Sequence, residues 1–272
     1  MIIDISEWQK GLDFSRLRGE GVEGIIIRLS YGTREDYCFQ DFYNQAKANG
    51  FPVGAYVYGL DTSTQSAIAT ANWVRDKLRG KQFELPIFYD TEDNVQKALS
   101  PRALTDVIKA FCSTLESNNF WVGIYASESF FNSNVIDSEL TRYSHWVAKW
   151  STHKPVLNSG AEIQMWQFGG ETNYLRSNQI VGRTIDQDYK YVDYESLIKA
   201  NKLNGFGDTQ SNTNSIQVGS TVRVNNAISY EGQPFKVWYA TYTVMELKGQ
   251  RAVIGVNGVI TSSINVNNLS LA

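Results

Sequence analysis

Short apolar runs recur along the first two thirds of the chain, at 1–6, 24–30, 52–58, 85–90, 120–125, 145–150, 163–168 and 183–189, and each carries a charged, amide or tyrosine side chain at or near its end. Runs of this length, bounded by turn residues, read as strands buried on both faces. The spacers between the early runs read as helices. Residues 13–19 suit a short one, and Phe39, Phe42, Tyr43 and Ala46 fall at helical spacing before a stop at Gly50. Ala67, Ala71, Val74 and Leu78 mark a second helical face, which Gly80 closes. Ser100 and Pro101 form a cap and a first-turn proline ahead of the stripe Leu104, Val107, Ile108, Phe111 and Leu115. Strand and helix in alternation build a parallel sheet, and eight such strands close into a barrel. The expected fold class is therefore α/β, a (β/α)8-like barrel. Its second half is expected to be irregular, because the later spacers are shorter.

Barrels of this kind build their sites at the carboxyl ends of their strands. Asp4, Arg28, Tyr58, Asp90, Glu92, Tyr125, Lys149, Gln167 and Asp186 all fall at or near those ends. The fourth run is the sharpest: Ile87, Phe88 and Tyr89 lead straight into Asp90, Glu92 and Asp93. Side chains at i and i+2 of a strand share a face, so Asp90 and Glu92 repel each other when both are ionised, and one should titrate late. A protonated carboxyl beside an ionised one suits glycoside hydrolysis. The first and eighth strands of a closed barrel are neighbours, which places Asp4 and Asp186 together across the mouth from that pair. A solvated strand end is the bland alternative for a lone Asp-x-Glu. Four acids converging on one mouth argue against it.

A formal net charge of -3 with 19% charged residues gives no sign of a surface made for polyanions, so no nucleic-acid partner is expected. Aromatic residues make up 13% of the chain, enough to fill a large core and still stack on sugar rings. Cys38 and Cys112 lie in helical segments and read as buried, reduced thiols. His145 and His153 are too few and too poorly spaced for a zinc site, so neither metal nor cofactor is expected. The amino terminus has no basic stretch followed by an apolar run, and no window approaches a membrane-spanning length, so neither a secretory signal nor a membrane partner is expected.

Composition changes after residue 201. Residues 202–215 are rich in Gly, Ser and Asn and read as a linker between a barrel at 1–201 and a small all-β barrel at 216–272. The latter shows short alternating segments at 221–224, 235–238, 242–247, 251–256 and 259–264, with turns at 248–250 and 257–258. Without a charged cluster of its own it reads as a binding module. Tyr230, Phe235, Trp238, Tyr239 and Tyr242 are its candidate contacts, with core filling as the alternative.

Several motifs then occur in a recognisable order: Asp4-Ile5-Ser6-x-Trp8-Gln9, Ile26-Ile27-Arg28-x-Ser30-Tyr31-Gly32, Gly54-Ala55-Tyr56-x-Tyr58, Asp90-Thr91-Glu92, Gly123-Ile124-Tyr125, Trp146-x-Ala148, Trp166-Gln167-Phe168 and Ile185-Asp186-x-Asp188. Over residues 1–195 the chain resembles the family-25 glycoside hydrolases, the Chalaropsis-type muramidases. Its tail resembles bacterial SH3-like cell-wall-binding modules, and the whole arrangement resembles a bacteriophage endolysin of the Gram-positive type. The resemblance implies that peptidoglycan is the partner and that the β-1,4 bond between N-acetylmuramic acid and N-acetylglucosamine is cut. It implies Glu92 as general acid, Asp90 orienting the substrate's 2-acetamido group, and Asp4 and Asp186 supplying an acidic field. Arg28, Tyr58, Tyr125, Trp150 and Gln167 become substrate contacts, with Arg28 alternatively a structural partner of the acids. It also implies synthesis in a host cytoplasm and release to the wall through a holin. One departure is visible: the family commonly has Asn where this chain has Asp188. A chitinase-like barrel is the rival enzyme, but its longer D-x-x-D-x-D-x-E signature is missing; a non-catalytic wall-binding protein is the other rival.

Overall fold

The computed structural model describes residues 1–207 and 216–272. The chain divides into two compact units, Met1–Asp208 and Thr209–Ala272.

The first unit opens with β1 (Ile2–Ile5), β2 (Gly24–Tyr31), the two-residue β3 (Arg34–Glu35), α1 (Phe39–Ala48), β4 (Val53–Tyr58), α2 (Thr64–Leu78) and β5 (Ile87–Asp90). It continues through α3 (Asn94–Lys97), α4 (Pro101–Glu116), β6 (Val122–Ser127), α5 (Glu128–Ser133), β7 (Ser144–Ala148) and β8 (Ile163–Gly169). A ribbon of β9 (Gln179–Ile180) and β10 (Arg183–Thr184) then leads to β11 (Asp186–Lys190) and α6 (Tyr194–Ala200). Strands β1, β11, β8, β7, β6, β5, β4 and β2 pair in that order, and β2 pairs back to β1, so the eight-stranded barrel is closed.

The expected eighth strand forms with its direction reversed: β11 is antiparallel to both β1 and β8. The cause lies in the connection. A parallel strand needs a crossover, usually a helix, to carry the chain back to the other end of the barrel, and residues 170–185 form only the β9–β10 ribbon.

Helix α4 follows its sequence signals closely. Ser100 accepts the Ala103 amide, Pro101 opens the first turn, and Leu104, Val107, Ile108, Phe111 and Leu115 are buried. Burying five such side chains contributes on the order of 10 kcal/mol before entropy is counted. Where the second half lacks helices, a polar clamp closes the outer layer. His145 is fully buried, its Nε2 lies 2.9 Å from Asp137 Oδ1 and its Nδ1 2.9 Å from the Tyr143 carbonyl oxygen. The Ser159 hydroxyl donates to the other Asp137 oxygen.

Part of the expected linker docks on the barrel instead. Asn204 is fully buried at φ 52°, its side chain accepts the Trp121 amide at 2.7 Å and donates to the Leu85 carbonyl at 3.0 Å. Phe206 packs on the inner core beside it. A Gly- and Asn-rich composition does not reveal that one Asn bridges two strand starts; the remainder of that stretch, 208–215, lies outside the described residues. Cys38 and Cys112 are free and buried. Among the described residues no helix is long and apolar enough to cross a membrane.

The second unit is one antiparallel sheet in the order β15 (Val259–Asn265), β14 (Arg251–Val256), β13 (Tyr242–Lys248), β12 (Thr221–Val224) and β16 (Leu269–Leu271). Its core is Val222, Tyr242, Val244, Ala252, Ile254, Ile264 and Leu269. The strand expected at 235–238 does not form. The amides of Trp238 and Tyr239 donate to the Tyr242 hydroxyl, at 2.9 and 3.2 Å, in place of a ladder partner.

Candidate active site

Alternation of side chains decides what stands at the barrel mouth. Ile2, Ile26, Phe88 and Met165 form the inner core. Two residues further along the same strands, on the same face, come Asp4, Arg28, Asp90 and Gln167. These four line a cavity of about 220 Å³ together with Tyr58, Glu92, Tyr125 and Asp186. Trp150 lines an adjoining cavity of about 580 Å³ that shares Glu92, Tyr125, Gln167 and Asp186 with the first. All nine barrel residues singled out in the sequence as catalytic or substrate-contacting therefore border one groove. Asp186 stands at the amino end of β11, opposite Asp4 in register, and not at a carboxyl end as expected. Reversal of the strand turns its start towards the mouth.

Gln167 organises the floor. The Tyr125 hydroxyl and the Trp150 indole donate to its Oε1, at 3.0 and 3.2 Å, which fixes the amide so that Nε2 donates to Asp4 Oδ2 at 3.0 Å. Below them the Trp146 indole donates to Asp188 Oδ1 at 2.7 Å. Asp188 is fully buried, so of the two last-strand acids Asp186 borders the cavity and Asp188 lies beneath it.

Arg28 has two readings open from the sequence, as a substrate contact or as a structural partner of the mouth acids. It borders the cavity, but its Nε donates to Asp36 at 2.9 Å and its NH2 group to Glu7 at 2.8 Å. Its structural partners are thus acids from flanking turns, and its guanidinium acts on the site as a fixed positive field. Tyr58 is likewise tied down: its hydroxyl reaches Asp93 at 3.2 Å, and its ring stacks on Tyr31 with centroids 4.7 Å apart.

The carboxyls hold protons tightly. Burial raises Asp90 well above the usual carboxylate range, the charges of Glu92 and Asp4 add to this, and Arg28 opposes it. Asp4 is raised by burial and then by Asp186. Burial also raises Glu92, against the pull of Lys97. Asp186 is pushed up to about 6 by burial, with Glu171 and Glu92 adding repulsion. The sequence led us to expect one late-titrating acid of the Asp90–Glu92 pair; the structure raises both. Asp90 Oδ1 is buried and, among the described residues, meets no donor. It is an acceptor without a hydrogen beside a cavity. No group of His, Cys, Asp and Glu among the described residues could hold a metal ion.

Sequence reasoning passed over three residues. Trp8 is 78% exposed and borders the cavity; its signal was its place between Ser6 and Gln9, which form a capping box that throws it outward. Glu171, with Trp8 and Trp150, lines a third cavity of about 520 Å³; nothing in its polar loop marks it. Gly170 sits so close to Asp186 and Trp150 that a β-carbon would collide with both.

In the second unit Tyr242 is a core residue, which corrects its place among the candidate contacts, and Phe235 packs half-buried against the same core. Tyr230, Trp238 and Tyr239 are exposed. Trp238 and Tyr239 line a cavity of about 660 Å³ with Ile260 and Thr261.

The family model for glycosyl hydrolases family 25 matches residues 3–175. The chain is similar to the autolytic lysozyme of Clostridium acetobutylicum, with 22% identity over 224 residues that cover 82% of this chain and 59% of that protein. It spans about three fifths of the length of the curated relatives it matches. Among solved structures it is similar to the CTP1L endolysin, at 25% identity and a TM-score of 0.63, covering 73% of this chain and 69% of that one. It shares its fold with the modular autolysin LytC of Streptococcus pneumoniae, solved with a synthetic peptidoglycan ligand, at 21% identity and a TM-score of 0.60 over 69% of this chain and 45% of that one. With the family model covering more than half of the sequence and the barrel closed around the acids its motifs carry, the chain belongs to glycosyl hydrolases family 25.

Proposed function

We propose that the barrel is a muramidase that hydrolyses the β-1,4 bond between N-acetylmuramic acid and N-acetylglucosamine in peptidoglycan. The observation that carries this reading is the buried, donor-free Asp90 Oδ1 beside Glu92 in an acid-lined groove. Glu92, raised by burial, gives its proton to the leaving oxygen and later takes one from the attacking water. With Glu92 protonated its charge no longer opposes ionisation of Asp90, and Arg28 favours it. The ionised Asp90 accepts the N–H of the substrate's 2-acetamido group, whose oxygen attacks the anomeric carbon, and stabilises the positive charge that develops. This is the substrate-assisted variant of retaining hydrolysis. Asp4 and Asp186 add negative field to an oxocarbenium-like transition state. Trp8 and Trp150 offer indole faces to the glycan, and Tyr58, Tyr125 and Gln167 shape the subsite.

In this reading the second unit is an SH3-like wall-binding module whose contacts are Tyr230, Trp238 and Tyr239, the aromatic rings that its core leaves exposed. The whole is an endolysin of a phage with a Gram-positive host, made in that host's cytoplasm and released to the wall. Likeness to CTP1L supports the endolysin reading, and the ligand seen in LytC supports the substrate.

Digestion of purified peptidoglycan, followed by reduction and mass spectrometry, is expected to place the new reducing end on N-acetylmuramic acid. Reducing ends on N-acetylglucosamine alone, or chitin cut in preference, would refute the assignment. Glu92→Gln is expected to fold and to lose about 10²–10⁴-fold in rate. Deleting 208–272, a cut that spares the docked Phe206, is expected to weaken attachment to whole cells while sparing cleavage of soluble glycan fragments.

A further inference from the structure

Asp188 has no place in the mechanism above, yet it is the most deeply buried acid of the barrel interior. It is fully shielded from solvent, and its Oδ1 accepts the Trp146 indole hydrogen at 2.7 Å. Its Oδ2 is buried and receives no hydrogen from any donor among the described residues. Beside it stands another carboxyl: β1 and β11 pair with Ile2 opposite Asp188 and Asp4 opposite Asp186, so Asp188 and Asp4 are diagonal neighbours on one face, placed for a side-chain hydrogen bond. Two carboxylate ions cannot form that bond, since each is acceptor only. One proton must lie between them.

The surrounding groups decide where it sits. Asp4 Oδ2 already accepts from Gln167, so Asp4 is furnished as an acceptor. Asp188 Oδ1 is occupied as an acceptor by Trp146, which leaves Oδ2 to hold the hydrogen. The one guanidinium that borders the cavity among the described residues, that of Arg28, is engaged by Glu7 and Asp36. The remaining titratable groups around the pair are Asp186 on the same strand, Asp90 and Glu92 from β5 and its following turn, Tyr56 from β4 and Tyr125 from β6. Both tyrosines are held neutral by burial; Asp186 opposes a second negative charge on either member of the pair, and Glu92 adds to this at Asp4.

We propose that Asp188 is a positioning residue that stays protonated through the neutral range and donates its Oδ2 hydrogen to Asp4, holding Asp4 ionised and fixed beneath the groove. Burial is the main cause of its protonation and the Asp4 charge the next. Asp4 then carries two hydrogens, one from Gln167 and one from Asp188, and presents its charge to the mouth without rotating. The proposal rests on the muramidase reading for its kinetic consequence alone; the protonation state is testable without any activity.

The test has two arms. Infrared titration of the folded protein is expected to show a carboxylic-acid carbonyl band at neutral pH that is missing in Asp188→Asn. If that variant keeps every such band, the proposal falls, whether or not the protein cleaves peptidoglycan. In the kinetic arm, Asp188→Asn supplies an amide hydrogen in place of the acid hydrogen with no change of charge, so both limbs of its kcat/KM profile are expected to coincide with the wild type. Limbs displaced to lower pH, the mark of removing a full negative charge, would overturn the proposal. Asp188→Leu, which has no hydrogen to give, is expected to lose about 10-fold to 100-fold in kcat, with its acid limb moved to higher pH because Asp4 then binds a proton more readily. Wild-type kinetics in a folded Asp188→Leu would equally refute it.

Discussion

A single methyl group is expected to disable the site without disturbing the fold. A β-carbon built on Gly170 falls 2.0 Å from Asp186 Oδ1 and 2.7 Å from Trp150 Cζ2. Carbon and oxygen atoms rest at about 3.5 Å, so Asp186 must retreat by roughly 1.5 Å, and the indole by somewhat less. Gly170 does not use the left-handed backbone region, so alanine adds no backbone strain there. Its effect is confined to pushing the two side chains. Displacing a positioned group by about 1 Å costs about 10²-fold in rate, which corresponds to about 2.7 kcal/mol on the barrier. We expect Gly170→Ala to lose at least that factor in kcat, with a rise in KM from the moved indole. The melting temperature should shift by only a few degrees. Gly19→Ala is the control, since a β-carbon there meets nothing within 4 Å. The assay is the initial rate of reducing-end release from purified walls, with thermal unfolding followed by circular dichroism. A folded Gly170→Ala enzyme with wild-type kcat and KM would refute the placement of Asp186 and Trp150 in the working groove.

Three further outcomes follow from the same geometry. The Asp186 carboxyl is held at about 6 in the fold against 3.8 for an ordinary aspartate, so the native state binds its proton more tightly than the unfolded chain does. No cost arises below about pH 4; stability is lost as pH rises towards 6, up to about 3 kcal/mol. Asp186→Asn should therefore lose activity yet unfold at higher urea than wild type near pH 8, with no gain near pH 4. Equal urea midpoints at both pH values would contradict the burial of that charge. Asp137→Ala leaves a ring nitrogen of the buried His145 without its hydrogen-bond partner and is expected to cost about 1–3 kcal/mol, read from chemical denaturation. Trp8→Ala, at a site 78% exposed, should change stability by no more than about 0.5 kcal/mol while raising KM for polymeric glycan; an unchanged KM would remove Trp8 from the subsite.

Much of the barrel was legible because period-two alternation is strict where a strand is buried on both faces. Ile2 and Asp4, Ile26 and Arg28, Phe88 and Asp90 are the same faces one step apart, so reading the apolar run also located the polar residue above it. Direction was not legible. An apolar run carries no mark of which end is up, and the β9–β10 ribbon that reverses β11 is built from two-residue strands too short to show a pattern. The partners of Arg28 were hidden for a related reason: Glu7 opens a single 3-10 turn of helix and Asp36 lies in a loop, segments too short for spacing to encode a face. In the second unit, aromatic identity alone could not separate Tyr242, a core pillar, from Trp238, exposed on the surface. Trp238 lies in an irregular segment whose amides are satisfied by the Tyr242 hydroxyl, so no alternation exists there to sort inside from outside.

Reversal of β11 has a chemical consequence as well as a topological one. On an ascending strand, the later of two acids at i and i+2 would stand at the mouth and the earlier one below it. On this descending strand the order inverts: Asp186 opens onto the groove, and Asp188 lies one step down beside Asp4 and the Trp146 indole. The two side chains are chemically identical and their fates differ only through depth. Asp186, partly reached by water, is raised to about 6 and can ionise in the working range. Asp188, sealed from solvent beside a carboxyl, is pushed well above the usual carboxylate range by burial and then by the Asp4 charge, the condition for the donor role proposed for it. Chain direction thus turns a repeated Asp-x-Asp into an ion above and an acid below. A mutation that moved the register of β11 by one residue would abolish both roles together, since it would carry both carboxyls to the outer face of the barrel.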